Sequence, residues 1–493
     1  MKIVIVGGGT AGWITSFYLS VQKNFECVNI SSTEIPIIGV GEGTTGRFTS
    51  TFLNSIYNTN VTELMYEING LPKLGILFKN WSQNNFYSPI DGTYTENFFV
   101  DYSSYVKPCS KFCFMMDNHK TPYYTETNAD NSVNLKIDTD LLPAVHIDAY
   151  KTSEYFKKRS VMNGVKYVDS VVEKVKTNKN HIQSIILSNG EEITADLFID
   201  CSGFSRILSK NLENTGWEDY SKYLPVNKAI TYSLSDDTEK NEYTVAEAMD
   251  YGWTWEIPTR NKTGRGYVYC DKFADDNVII DELSKKHNEK IDSLKTISFK
   301  SGRIHKFLNG NCVSIGLSSA FLEPLQATSI HCALVQLELF VYDFISDINL
   351  INDPILVKNY NQRVAKLYDE MRDFVFVHYT GGKTNSEFWK YVSTIDPPER
   401  VKELLHLAKK RLLRSYDFDG LVGSVGQESW NHILFGLSHF NTDTIENVFK
   451  SESTTTKSWL DIVESYKQNT LRDLDSNLSA RELNEILLSL GKT

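Results

Sequence analysis

The first twelve residues constrain the chain more than any other stretch. "KIVIV" is an apolar run dominated by β-branched residues, fit for a parallel strand buried on both faces, "GGGTAGW" follows at once, and "ITSFYLSVQ" continues as an amphipathic helix. The spacing is GxGxxG. Gly7 permits the tight turn, Gly9 lets the backbone approach a pyrophosphate, and Gly12 allows close helix–strand packing, with Thr10 and Ala11 completing the loop at the helix N-terminus. A bare glycine turn is the structural alternative, but the flanking strand and helix favour a dinucleotide site. The fold class is therefore α/β, built on a Rossmann-like sheet.

An acidic residue usually closes the second strand of such a unit and holds the ribose. Here the chain reads "FECVNISSTEIP", and Ser31 stands where that residue would fall. Two more strand-to-glycine turns follow, "ADLFIDCSGFSRIL" at Gly203 and "GNCVSIGLSSAFLEPLQATSI" at Gly316. Three such turns can converge on one extended nucleotide. Between them, an Asn-Gly pair at 189–190 marks a hairpin.

At 493 residues the chain exceeds one simple core. Residues 1–81 and 146–332 are expected to form a discontinuous FAD-binding domain, 82–145 an aromatic insertion covering the substrate site, and 333–493 a mostly helical substrate subdomain. The run "SESTTTK" at 451–457 reads as a polar linker. A net charge of -11 without a basic block argues against nucleic acid or an anionic membrane as partner. No stretch has the length of a membrane span, and the start lacks the features of a signal peptide. The seven cysteines are scattered, without CxxC spacing. A cytoplasmic, reduced, metal-free protein is expected.

The segment "GWTWEIP" sets Trp253 and Trp255 two apart, so in a strand both rings project from one face. Such a wall either fills a core or screens a reactive centre.

The motifs "GGGTAGW", "GVGEGT" at 39–44, "KLGILFKNW" at 73–81, "DCSGF" at 200–204, "GWTWEIP", "GRGYVY" at 264–269 and "NCVSIGLSSAFLEPL" at 311–325 occur in one order along most of the chain. In that order they resemble flavin-dependent halogenases of the tryptophan-halogenase type. The resemblance implies a glutathione-reductase/aromatic-hydroxylase type of FAD-binding domain with an added helical substrate subdomain. It also implies FAD used as FADH2 from a separate flavin reductase, and O2 and halide giving hypohalous acid, which reaches a lysine through a short tunnel. By the same resemblance Gly41, Glu42, Gly43, Thr44 and Leu325 join the cofactor residues, Trp253 and Trp255 wall flavin from organic substrate, and Thr328 and Ser329 supply halide-binding amides. A Gly is usual where Ser329 stands. A homo-oligomer is expected.

Lys73 aligns with the family lysine. It serves either by hydrogen-bonding hypohalous acid or as a haloamine, which needs a neutral amine and hence burial. The apolar flanks "LP" and "LGILF" favour burial over the solvated reading; Lys79 is the decoy. The main departure is Gln326, where tryptophan-specific members carry Glu; beside it Ala327 replaces Ser. An amide cannot act as a base at neutral pH. Three readings stay open: proton loss to water suffices, another group such as His331 takes over, or the protein is silent. Because the exchange is nearly isosteric, Gln326→Glu is expected to be tolerated. Val100 and Tyr102 stand where the family's indole-clamping His and Phe lie, and Trp430 falls at the aromatic wall of the helical subdomain. An electron-rich indole or phenol other than free tryptophan fits best. A flavin monooxygenase, which should lack WxWxIP and keep an Asp in the third motif, and a catalytically silent flavin-binding protein are the rivals.

Overall fold

The computed structural model describes residues 1–22, 25–37, 39, 42–52, 57, 59–90, 99–100, 108–130, 133–138, 141, 143–235, 240–292, 295–441, 468, 472 and 474–490. Gly41, Tyr102 and the polar run 451–457 lie outside these residues, as does nearly all of 458–474. Of Val100, only the backbone is described, in the short strand Phe99–Val100.

The opening strand Lys2–Val6 sits inside a six-stranded sheet. Across that sheet the order is Lys166–Asp169, Glu26–Ser31, Lys2–Val6, Leu197–Asp200, Cys312–Ser314 and Leu308–Asn309, parallel except for the last strand. Ile3 and Ile5 enter one core cluster and Val4 and Val6 another, so the strand is buried on both faces, as its unbroken apolar run requires. The helix Thr10–Ser20 follows. This is the Rossmann-like arrangement.

A seven-stranded sheet carries the tryptophan pair. Its order is Lys295–Ser298, Lys228–Tyr232, Thr263–Tyr269, Gly252–Pro258, Tyr243–Ala248, Gly75–Lys79 and Phe86–Pro89. A smaller sheet sets Ala144–Ile147 between Glu42–Gly43 and Leu71–Lys73. The Asn189–Gly190 turn joins His181–Leu187 to Glu192–Ile193, with Gly190 at φ 84°.

Helices dominate the later chain: Thr328–Phe344, Pro354–Val377, Glu387–Ser393, Glu399–Ala408, Gln427–Gly436 and Ala480–Leu490. The first begins five residues ahead of 333, where the helical subdomain is expected to start, because Thr328 opens it straight after a sharp bend. Asp353 starts the longest by accepting from Ile355 N and Leu356 N, with Pro354 at the first helical position. The segment 82–145 has more order than its composition suggests, with the Ser110-capped helix Lys111–Asp117 and a hairpin of Tyr123–Thr127 with Val133–Ile137. These elements are too short for periodicity to announce.

Among the described residues no helix is long and apolar enough to cross a membrane, and no group of three or more His, Cys, Asp or Glu could hold a metal. Cys27, Cys113, Cys201, Cys270, Cys312 and Cys332 are free thiols in the interior. Burial pushes Cys27 and Cys201 up to about 12 and raises Cys270, Cys312 and Cys332 as well.

Candidate active site

The glycine loop splits into positions that pack and positions that stay open. At Gly7 (φ 136°) a Cβ would fall 2.2 Å from the Cys201 carbonyl oxygen, and at Gly12 one would fall 2.1 Å from Gly7 O. A Cβ on Gly9 or Gly203, by contrast, would meet nothing within 4 Å. Gly316 (φ 75°) abuts Ala11, and the buried Thr10 Oγ1 has no hydrogen-bond partner. Open space over two glycines and an unpartnered hydroxyl at a helix start fit the pyrophosphate half of a dinucleotide. Asp200 braces the Gly203 loop by accepting from Ser202, Leu208 and Ser209 N–H groups. Ser31 donates to Asn29 Oδ1 at 3.0 Å. The acidic group absent from its strand end is present on the neighbouring strand, where Asp169 pairs with Ser31 in register and accepts from Thr33 N and Oγ1.

Lys73 is 1% exposed. Its Nζ donates to Thr44 O at 3.1 Å, and a Cβ on Gly43 would lie 2.9 Å from that nitrogen, so the "GEGT" segment both receives the ammonium and makes room for it. Glu42 begins the same short strand, paired with Ile147. Burial lowers Lys73 to about 7. His146 shares its sheet face diagonally, since Ala144 pairs with Lys73 and His146 with Leu71. Desolvation, with the lysine's charge added, holds His146 well below the usual imidazole range; its Nε2 meets Thr244 Oγ1 at 2.9 Å. Lys79 is half-buried at the end of the next strand.

The tryptophan pair lies in strand Gly252–Pro258 with ring centroids 6.2 Å apart, and Trp81 packs 6.4 Å from Trp253. Trp255 fills the space over Gly266, where a Cβ would sit 2.1 Å from its ring. Trp253 Nε1 donates to Glu323 Oε1 at 3.2 Å, and Tyr379 OH donates to the same oxygen at 2.7 Å. Burial pushes Glu323 up to about 8, and its Oε2 has no partner.

Past the buried Leu325, two non-glycine residues in succession are left-handed, Gln326 (φ 65°) and Ala327 (φ 55°), and helix Thr328–Phe344 starts immediately. The backbone strain therefore falls on 326 and 327; Ser329 is helical. The first amides of a helix lack intrahelical acceptors, so Thr328 and Ser329 N–H groups stand at the positive end of its dipole. Gln326 Nε2 is 2.9 Å from His378 Nε2. His331 is engaged on both ring nitrogens: its Nδ1 meets Thr45 Oγ1 at 2.9 Å, its Nε2 meets Gly423 O at 2.7 Å, and burial lowers it to about 4. Trp430 is buried against Phe374 (5.4 Å) and Phe418 (6.1 Å).

The structure thus joins Lys73 to the "GEGT" segment, Trp253 to Trp255 and Gln326 to His378; Lys73 and Gln326 bond to different partners. Glu323 and His378 escape sequence reasoning. Glu323 lay inside a quoted motif without a stated role, and His378 ends a helix fifty residues further on, where only tertiary packing brings it to the bend.

The family model for tryptophan halogenases matches residues 2–451. A tryptophan 7-halogenase of Lentzea aerocolonigenes is 30% identical over 422 residues, covering 79% of this chain and 78% of its own. A tryptophan 6-halogenase of Streptomyces toxytricini is 30% identical over 472 residues, covering 88% and 89%. Its crystal structure superposes with a TM-score of 0.80 at 25% identity over 98% of both chains. A tryptophan halogenase from Shewanella frigidimarina superposes with a TM-score of 0.86 at 20% identity over 100% of this chain and 98% of that one, a likeness of fold. On a family match over residues 2–451, two relatives at 30% identity and this glycine cradle, the chain belongs to the tryptophan halogenase family and is a flavin-dependent halogenase.

Proposed function

We propose that the chain halogenates an electron-rich indole or phenol other than free tryptophan, with Lys73 as the residue that receives hypohalous acid. The carrying observation is the buried Lys73 amine, bonded to Thr44 O and lowered to about 7, so that near neutral pH a large fraction is the free base. When bound as FADH2, the flavin supplies the reducing equivalents that turn O2 and halide into hypohalous acid. Gly7, Gly9, Thr10, Ala11, Gly12 and Gly203 would hold its phosphates, and Ser31, Gly43, Thr44, Gly316 and Leu325 would line the remaining groove. Thr328 and Ser329 amides would bind halide, and Trp253 and Trp255 would separate flavin from arene while excluding water. Trp430 would form part of the arene pocket.

Residues 1–81 with 146–332 are taken as the FAD-binding domain, 82–145 as the covering insertion and 333–493 as the substrate subdomain. A separate reductase would supply FADH2. The rival monooxygenase reading loses its ground to the family match, and the silent reading to the buried Lys73. The test is Lys73→Ala with FADH2, halide and a panel of phenols and indoles, read by halogen isotope patterns. Product should vanish while flavin reoxidation and trappable hypohalous acid persist; wild-type yields from the variant would overturn the lysine assignment.

A further inference from the structure

His378 caps the end of helix Pro354–Val377, buried to 1% exposure. Its Nδ1 lies 2.8 Å from Phe374 O, one of the last four carbonyls of that helix, which have no intrahelical donor. A carbonyl oxygen can only accept, so Nδ1 carries the hydrogen. No carboxylate is bonded to this imidazole, and burial lowers it to about 4, so it is neutral and its Nε2 is bare. The partner of a bare nitrogen must donate. Gln326, 2.9 Å away, therefore turns its NH2 toward the ring and its carbonyl oxygen to the opposite side; the flipped amide would set two lone pairs against each other. The imidazole is packed by aromatic rings, and the Gln326 amide leaves the chain from a fixed bend. Phe78 and Phe374 hold the imidazole at 5.1 and 5.2 Å, Trp81 lies 6.2 Å away, and the Gln326 backbone is fixed in its left-handed bend.

We propose that His378 is a positioning residue that orients the Gln326 amide, one N–H of which is taken by the imidazole, so that its Oε1 is presented to the reactants as an acceptor. The inference rests on the proposed function, in which Gln326 borders the reacting centre. A bare carbonyl oxygen selects a group that donates: the O–H of hypohalous acid, or the N–H or O–H of an indole or phenol. Gln326 is then a matched partner of His378, and Gln326→Glu is no longer a neutral exchange despite its shape. A carboxylate facing a bare Nε2 needs a proton between them, and the pair must acquire one from solvent.

The deciding experiment is long-range proton–nitrogen NMR of 15N-histidine-labelled protein at pH 7, with His378→Leu identifying the signal. Wild type should show a protonated Nδ1 and a bare Nε2, and Gln326→Glu should show hydrogen on both nitrogens. The opposite tautomer in wild type, or a spectrum unchanged by Gln326→Glu, overturns the proposal. Because it needs no turnover, this measurement separates failure here from failure of the Lys73 assignment. The functional arm compares Gln326→Leu, His378→Leu and the double variant by product formed per flavin reoxidised. Each single variant should lose tenfold or more and the double variant no more than the worse single. Losses that multiply would show that the two act independently and overturn it equally.

Discussion

Lys73→Met should make the protein more stable, with a gain that fades as pH rises. The side chains are similar in length, so the exchange removes the ammonium with little change of volume. Burial lowers Lys73 from 10.5 to about 7, so between those values the unfolded chain holds a proton that the folded chain has released. Stability of the wild type therefore rises with pH across that window. The cost of the buried amine is about 4 kcal/mol at pH 7, about 2 kcal/mol at pH 9 and less than about 0.5 kcal/mol at pH 10.5. Methionine forfeits the bond to Thr44 O, worth about 1 kcal/mol, leaving a net gain of about 3 kcal/mol at pH 7 that disappears before pH 10. Urea denaturation of both proteins at half-unit steps from pH 7 to 10 measures the gap directly. Equal midpoints at pH 7, or a gap constant over the series, would refute the burial argument; a lysine that reaches water gives that result.

Gly9→Ala should leave the melting temperature unchanged, since nothing lies within 4 Å of its Cβ, yet weaken FAD binding about tenfold, or about 1.4 kcal/mol, by titration. Glu323→Ala strands the Trp253 indole and the Tyr379 hydroxyl and should destabilise by about 2 to 5 kcal/mol in the same urea assay, whereas Glu323→Gln keeps an acceptor and should cost about 1 kcal/mol. Gly266→Ala drives a methyl into the Trp255 ring; the expected outcome is product yield per flavin reoxidised falling at least fivefold, with hydrogen peroxide rising in a peroxidase-coupled assay.

The parts of the site that could be read from the sequence are those encoded within a few residues. The strand, turn and helix at 2–20 follow from local pattern, and the one-face projection of Trp253 and Trp255 from strand alternation alone. Lys73 was also accessible, because its apolar neighbours forecast burial. What stayed hidden depends on residues distant in sequence. Asp169 reaches the end of the second strand from a neighbour 138 positions after Ser31, through sheet register. His378 meets the Gln326 amide and a helix carbonyl that no motif marks, and the left-handed backbone at 326 and 327, directly ahead of the helix start at Thr328, involves non-glycine residues that no turn signal announces.

The thiols have a consequence for survival of the catalyst. An enzyme that makes hypohalous acid inside its own fold lives beside a strong oxidant, and thiolates are among the fastest targets such an oxidant meets. The six cysteines whose side chains are described are buried, and burial holds at least five of them as protonated thiols far above neutral pH. Among the described side chains, exposed sulfur belongs to methionines instead: Met1, 37% accessible, and Met162, 71% accessible on the helix Ala149–Met162, where oxidation is reversible and disturbs no core packing. Oxidant that leaves the fold thus meets thioethers at the surface before any of these thiols, which oxidant in bulk solvent reaches only when the core opens.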